Sequence, residues 1–136
     1  MPETLTLEIV TPEAVQRFDG VEIVTLPGIV GQMGVYAHHV ALMTQMAPGE
    51  IMVRKDGREV FIATGGGLIE VTSKRVSVLT DLAVAADRID EAKAEEARRR
   101  AEARLHEKLS AEEVASVNAS LARSLAQLRV KRRQRR

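Results

Sequence analysis

Few residues in this chain could do chemistry, and their spacing limits what they can do. Cysteine is absent and there are three histidines, so a metal site would have to draw on His38, His39 and His106. Adjacent histidines on a strand point to opposite faces and His106 is distant, so no metal site is expected. Glycines recur at Gly28, Gly31 and Gly34 and again from Gly65 to Gly67. A phosphate-cradling loop would need a Lys-Ser/Thr pair and a helix N-terminus after them. These glycines lead instead into β-prone sequence, which predicts turns or bulges. No G-x-S-x-G elbow occurs, and the serines at 110, 116, 120 and 124 fall in helical sequence, where caps and surface positions are their ordinary roles. Carboxylates are dense only in the charged helical sequence, where they are spaced as i,i+4 partners for arginine rather than as an acid–base pair. No catalytic residue is assigned. The run Arg129–Arg136 is basic at six of eight positions, enough to attract phosphates of nucleic acid or an anionic membrane surface. With no aromatic residue interleaved, it reads first as a frayed solubilising tail and second as an electrostatic contact to an acidic surface.

The elements that must position these residues fall into two chemically different segments. In 136 residues and 14.9 kDa, with 45% apolar and 29% charged residues, one compact domain and a small appendage are expected. Aromatic residues are limited to Phe18, Tyr36 and Phe61, too few for the stacking platforms that bind single-stranded nucleic acid. No stretch reads as a signal peptide or a spanning helix, so a cytosolic protein without disulfides is expected. Net charge is only +1, but residues 1–86 hold six Lys/Arg against ten Asp/Glu, and residues 87–136 hold fourteen against nine. All nine glycines and all four prolines precede residue 68. Residues 1–86 therefore read as sheet and residues 87–136 as helix.

Thr4 to Val10 alternates polar and apolar side chains, as a strand with one wet face must. Further β-prone runs span 21–26, 40–46, 51–53, 60–63, 68–71 and 76–79, broken by Pro-Gly, Asp-Gly and Gly-rich turns. Asp56-Gly57 is a hairpin signal, because a primed turn needs positive φ. Short strands with no helix between them predict an antiparallel β-sandwich. Asp87 is the expected N-cap of a first helix near 88–108, with Asp90 and Glu91 in its first turn. Ser110 and Glu113 form a capping box for a second helix, whose expected apolar face is Val114, Val117, Leu121, Leu125 and Leu128. The two helices make an antiparallel hairpin. The first helix offers only Ile89, Leu105 and Leu109 as large apolar groups. Each buried large side chain contributes roughly 1.5–3 kcal/mol against about 1–2 kcal/mol per residue of lost backbone freedom, so the hairpin should be marginal and able to open or re-dock.

The stretch L-P-G-I-V-G-Q-M-G-V-Y-A-H-H-V-A-L-M-T at 26–44, A-P-G-E-I at 47–51, G-G-L-I-E-V at 66–71 and V-x-V-L-x-D-x-A at 76–83 resemble the epsilon subunit of bacterial and chloroplast F-type ATP synthases, called delta in mitochondria. I-D-E-A-K-A at 89–94 and A-Q-L-R-V at 126–130 extend the resemblance over nearly the whole chain. It implies a ten-stranded β-sandwich followed by a two-helix hairpin, in a non-catalytic subunit of the rotating central stalk. The implied partners are the gamma subunit, the membrane-embedded c-ring, and the alpha and beta subunits whose ATP hydrolysis the hairpin restrains. The implied place is the cytoplasmic face of the bacterial plasma membrane, reached only through the complex.

By position, the loop Gly28, Gly31, Gln32 and Gly34 resembles the family's c-ring contact, and His39 its histidine near gamma. A role for these glycines in the turns alone is equally open. Arg98, Arg99, Arg100, Arg104 and Arg123, with the terminal arginines, would form the basic face that meets alpha and beta. Some members bind ATP through an I/L-D-x-x-R-A motif plus helical arginines. Here Ile89, Asp90 and Ala94 match, Lys93 replaces the motif arginine, Arg100 and Arg123 stand at basic positions, and Gln127 stands where binders are basic. Lysine lacks the bidentate fork, so ATP binding should be weak or absent and no other cofactor is expected. The alternative from a different class is an independent nucleic-acid-binding module with an arginine-rich arm, disfavoured by the acidic first segment.

Overall fold

The computed structural model describes residues 3–134. Ten strands precede two helices: β1 Leu5–Val10, β2 Val15–Val21, β3 Ile23–Gly28, β4 Gly31–Val35, β5 Leu42–Met46, β6 Gly49–Lys55, β7 Arg58–Thr64, β8 Gly67–Val71, β9 Arg75–Thr80, β10 Ala83–Ala85, then a 3-10 turn Ala86–Arg88, α1 Glu91–Arg104 and α2 Ala111–Gln134. The sheet is hydrogen-bonded in the order β10-β7-β6-β3-β5-β8-β9-β1-β2, with β4 added to β3. Strand β3 is the corner. Its residues Ile23 to Thr25 pair with β6, whereas Gly28 alone pairs with Met46 of β5. The sheet thus folds into two five-stranded halves, β4-β3-β6-β7-β10 and β5-β8-β9-β1-β2. Their inward residues, including Leu7, Ile9, Val24, Leu26, Ile51, Ile62, Ile69 and Val78, are fully buried in one core. At the far edges, Gln16 Nε2 of β2 donates to the Ala83 carbonyl of β10 at 3.1 Å, drawing the open ends of the halves together.

Pairing is antiparallel throughout except β1 with β9, which run parallel. That pair joins the start of the chain to residues some seventy positions on, a long-range register no local pattern announces. Asp56 and Gly57 have φ of 53° and 72° and form the two-residue turn between β6 and β7, as their residue types predict. Strands β2, β4 and β10 are not among the β-prone runs. The first is an edge strand with Arg17 and Asp19 outward, the second contains two glycines, and the third is three residues long.

Helix α1 is shorter than expected and starts later. Its N-cap is Asp90, whose carboxylate accepts from the Lys93 N–H at 3.1 Å, while Asp87 lies in the 3-10 turn. The expected length failed because Ile89 is extended and buried against the head, which stops a helix from running through it. The capping box of α2 forms as read: the Glu113 N–H donates to Ser110 Oγ and the Ser110 N–H to Glu113 Oε1, each at 3.2 Å. The single apolar face expected of α2 is in fact two faces. Val117, Ser124 and Leu128 are buried on one side toward α1, while Ala126 and Val130 are buried on the other toward the head. Val114 and Leu125, expected on the buried face, lie between these sides and are 37% and 41% exposed. Helix α2 is the middle layer, with α1 outside it.

Candidate functional site

The two sheet halves are dressed differently, and this asymmetry organises the candidate functional surfaces. The outer face of β6-β7-β10 carries Phe61, Ala63 and Val84, and Ala126 and Val130 of α2 cover it together with Ala86 and Ile89. Polar groups fasten both ends of that contact. Arg123 Nη1 lies 3.3 Å from Asp81 Oδ2, Arg133 Nε lies 2.9 Å from Glu50 Oε2, and Lys131 Nζ donates to the Ala86 carbonyl at 3.2 Å. The Arg133 guanidinium also lies 5.1 Å from the centre of the Phe61 ring. Gly65 makes room for the first pair, since a Cβ there would collide with the Asp81 carboxylate.

The outer face of β5-β8-β9-β1-β2 has no such cover. In register across it, Leu68 pairs with Leu79, Leu79 with Val10 and Val10 with Val15, an apolar row four strands or about 15 Å wide. Leu68, Leu79 and Val15 are 45%, 51% and 63% exposed, and Met43 beside them is 66% exposed. Each of these positions would be polar on a wet sheet face. A bare apolar row on a rigid sheet is a surface for another protein.

The interface candidates occupy two separate places. Gly28, Gly31 and Gln32 stand at the tip of the β3–β4 hairpin, flanked by Ile29 and Val30, while His39 follows the opposite end of β4. The turn itself explains Gly28 and Gly31: a Cβ on Gly28 would come within 2.8 Å of the Gly31 carbonyl oxygen, and Gly31 has φ of 139°. Gly34 has no such need, because a Cβ there would make only an ordinary 3.6 Å contact with Ile23. His38 and His39 lie in the turn after β4 rather than on a strand. His38, at φ of 66°, pairs through Nε2 with Glu3, and His39 Nδ1 lies 2.7 Å from the Val40 carbonyl oxygen. No group of three or more His, Cys, Asp or Glu among the described residues is placed to hold a metal ion.

The two segments match two family models: "ATP synthase, Delta/Epsilon chain, beta-sandwich domain" over residues 4–86 and "ATP synthase, Delta/Epsilon chain, long alpha-helix domain" over residues 87–132. The chain belongs to the ATP synthase delta/epsilon family. It is 40% identical over 129 residues to an ATP synthase epsilon chain of Laribacter hongkongensis, covering 93% of this chain and 91% of that one. It is 41% identical over 128 residues to that of Halorhodospira halophila, again covering 93% and 91%. Its fold is similar to a chain in the mitochondrial ATP synthase of Euglena gracilis, with a TM-score of 0.74 at 24% identity over 100% of this chain and 84% of that one. A chain in the central stalk and c-ring structure of the Tetrahymena thermophila mitochondrial enzyme aligns with a TM-score of 0.61 at 13% identity, over 96% and 98%. These findings lend no support to the nucleic-acid-binding alternative.

In this delta/epsilon chain the residues of the ATP-like motif are only partly gathered. Asp90 is occupied as the α1 cap, and Ile89 and Ala94 are buried in the packing. Lys93 and Arg100 are seven residues apart and share a flank of α1. Arg100 lines a crevice of about 300 Å³ with Ser116 and Ser120, and Arg123 Nη2 donates to Ser120 Oγ at 3.1 Å. Each of the five arginines named before the terminal run has a carboxylate partner within the chain: Arg98 with Glu95 and Glu102, Arg99 with Glu95, Arg100 with Glu96, Arg104 with Glu107 and Glu113, and Arg123 with Asp81. The Arg98 hydrogen bond holds the Glu95 carboxyl below its ordinary range, with desolvation opposing it. Arg135 and Arg136 of the terminal run lie outside the described residues. The apolar row and the fasteners Glu50, Asp81 and Lys131 were not singled out from the sequence. The interrupted alternation at Leu68 and Leu79 was the one local sign of the row.

Proposed function

We propose that the chain is a non-catalytic central-stalk subunit of an F-type ATP synthase, which couples c-ring rotation to the catalytic head through gamma. It makes and breaks no bonds itself. The observation that carries this reading is the bare apolar row Val10, Val15, Leu68 and Leu79, on the half of the sandwich that the helices leave uncovered. It fits the apolar side of a long partner helix such as gamma would offer, and the folded-over sheet behind it is stiff enough to pass on torque. His39 and Val40 border that face, while the hairpin tip with Gly28, Gly31 and Gln32, and Gly34 on the strand behind it, meets the c-ring. No helix among the described residues is long and apolar enough to cross a membrane, so the membrane is reached through the complex, at the cytoplasmic face of the bacterial plasma membrane.

The helical hairpin restrains ATP hydrolysis when it leaves the head. Its arginines then exchange their internal carboxylates for acidic surfaces of alpha and beta, which costs little because exposed pairs of this kind are worth about 0–1 kcal/mol each. ATP is at most a weak regulatory ligand, since Lys93 and Gln127 replace two groups that would grip its phosphates.

A tagged chain recovered from its own cells should bring down gamma and the c-ring. Leu79→Asp should lose gamma while keeping the sheet signal in circular dichroism. Recovery of the wild-type chain without gamma would refute the coupling role. Deleting residues 87–136 should raise ATP hydrolysis without blocking assembly, and an unchanged rate would remove the restraint while leaving the coupling role.

A further inference from the structure

Beside the apolar row on the uncovered sheet half runs a second outward row of different chemistry. The pairings that align Leu68, Leu79, Val10 and Val15 also align Met43 with Glu70, Glu70 with Ser77, Ser77 with Glu8 and Glu8 with Arg17. The two rows are two residues apart along each strand, or about 7 Å, so a helix about 10 Å across seated on the first overhangs the second. The two carboxylates of this second row are placed unequally. Glu8 is engaged within the chain: Arg17 Nη1 lies 3.5 Å from its Oε1, while Arg17 Nε holds Asp19 Oδ1 at 3.1 Å. Glu70 is exposed, and its side chain has no hydrogen bond or ion pair among the described residues. Arg75, one step farther from the apolar row, is exposed and forms no ion pair with it. Met43, across the ladder from Glu70, is 66% exposed, so this free carboxylate stands between two pieces of apolar surface.

We infer that Glu70 sets the register of the partner: it accepts a charge-assisted hydrogen bond from a lysine or arginine that gamma carries beside the apolar stripe covering the row. The inference rests on the reading that this row seats gamma, and it adds the charge that fixes how gamma lies there. Covering Leu68, Leu79 and Met43 removes water from around Glu70. A carboxylate dried without a partner is costly, so a cover that brings no cation to it binds poorly. A cation there forms a stronger bond than a neutral donor would. Apolar burial has no direction and lets a helix slide along the row, whereas one charge pair inside the patch penalises every other register. A joint that passes on torque needs that second property.

The test is titration of the full chain into the catalytic complex of its own synthase, stripped of this chain. Glu70→Gln keeps size and polarity but removes the charge. It should weaken binding about tenfold and flatten its salt dependence, and Glu70→Lys should weaken it about a hundredfold, with the melting of the sheet unchanged in both. Arg75→Gln separates a partner's cation from a neighbour's. If Glu70 served only Arg75, that variant would lose as much affinity as Glu70→Gln, and the inference would fall. It should instead bind at least as tightly as the wild type. Among gamma variants with one basic residue changed to Glu, one should bring Glu70→Lys back to within about fivefold of wild-type affinity. Rescue by none of them overturns the inference, as does Glu70→Gln with unmoved affinity and salt response. In either case the central-stalk reading stands if Leu79→Asp still abolishes binding. If Leu79→Asp binds as the wild type does, the row is not the seat of gamma, and both readings fall together.

Discussion

The head and the helical hairpin are built from opposite materials. The head buries fifteen side chains in one cluster, nearly all branched or long apolar residues from both sheet halves. The contact that holds α2 to the head is a cluster of five, three of them alanines, with polar fasteners at each end. Alanine has little to bury, so the first cluster resists opening far more than the second. In the hairpin itself, α1 buries only Ala94 and Ala101, and its surface is held by arginine–glutamate pairs that water can replace. A rotor element must not yield under load, whereas a regulatory arm must be able to leave. The difference in packing suits the two roles proposed for one chain.

Truncating the head core should have the largest effect. Ile69 is fully buried, and Ile69→Ala should cost about 2–5 kcal/mol, visible as a large drop in the temperature at which the sheet signal melts. The matching truncation in the hairpin, Leu128→Ala, removes an equally buried side chain. Its effect on the head is limited by how strongly the hairpin docks, because once the helices are free nothing more can be lost there. Amide exchange should quicken across 91–134 while the melting of the sheet hardly moves. If both variants lowered the sheet melting equally, head and hairpin would be one cooperative unit and the comparison would fail.

Arg133→Ala should come next in size. It removes the pair with Glu50 and the contact with the Phe61 ring, together worth about 1 kcal/mol for groups that remain partly in water. Gly65→Ala should act at the other end of α2, because its added methyl displaces the Asp81 carboxylate that Arg123 holds. Each should raise exchange in α2 about fivefold, and the two together should multiply, since they lie at separate ends of the helix. Unchanged exchange in both would mean that Ala126 and Val130 alone hold the contact.

Much of this comparison is written in local sequence. The Asp56-Gly57 turn, the Ser110–Glu113 capping box and the loss of Gly and Pro after residue 67 each depend on neighbours a few positions apart, and each appears where its chemistry demands. The parallel pairing of β1 with β9 depends on residues far apart and left no local trace. Strand β2 escaped notice because its alternation is broken: Gln16 and Gly20 stand at inward positions and Val15 at an outward one. The two-faced character of α2 was hidden for a related reason. Ala126 is as buried as Leu128, yet an alanine gives no hydrophobic signal until something is known to lie over it. The candidate interface glycines were legible as glycines, but only the coordinates separate Gly34, which no turn requires, from Gly28 and Gly31.

Acid should sharpen the comparison with the smallest effect. The Ser110 backbone N–H, followed by its hydroxyl, holds the Glu113 carboxyl below its ordinary value of 4.5, and Arg98 does the same for Glu95. Among the described residues of the head only Asp19 is clearly lowered, by Arg17 and then Thr6, on the edge strand β2. A carboxyl whose folded pKa is depressed contributes stability that is complete above its unfolded value and is lost as pH falls through the folded one. The hairpin should therefore begin to loosen as pH drops below about 4.5, with the sheet following later. Asp19 and Glu113 are exposed and Glu95 keeps partial access to water, so the loosening should be slight and best seen as faster proteolysis or amide exchange in 91–134. Glu113→Gln keeps a side chain able to complete the capping box but removes its titration. That variant should flatten the acid response of the α2 N-terminus while leaving the response of Glu95 in place. An acid profile that Glu113→Gln leaves unmoved, or a sheet that loosens first, would place the acid-sensitive contacts in the head.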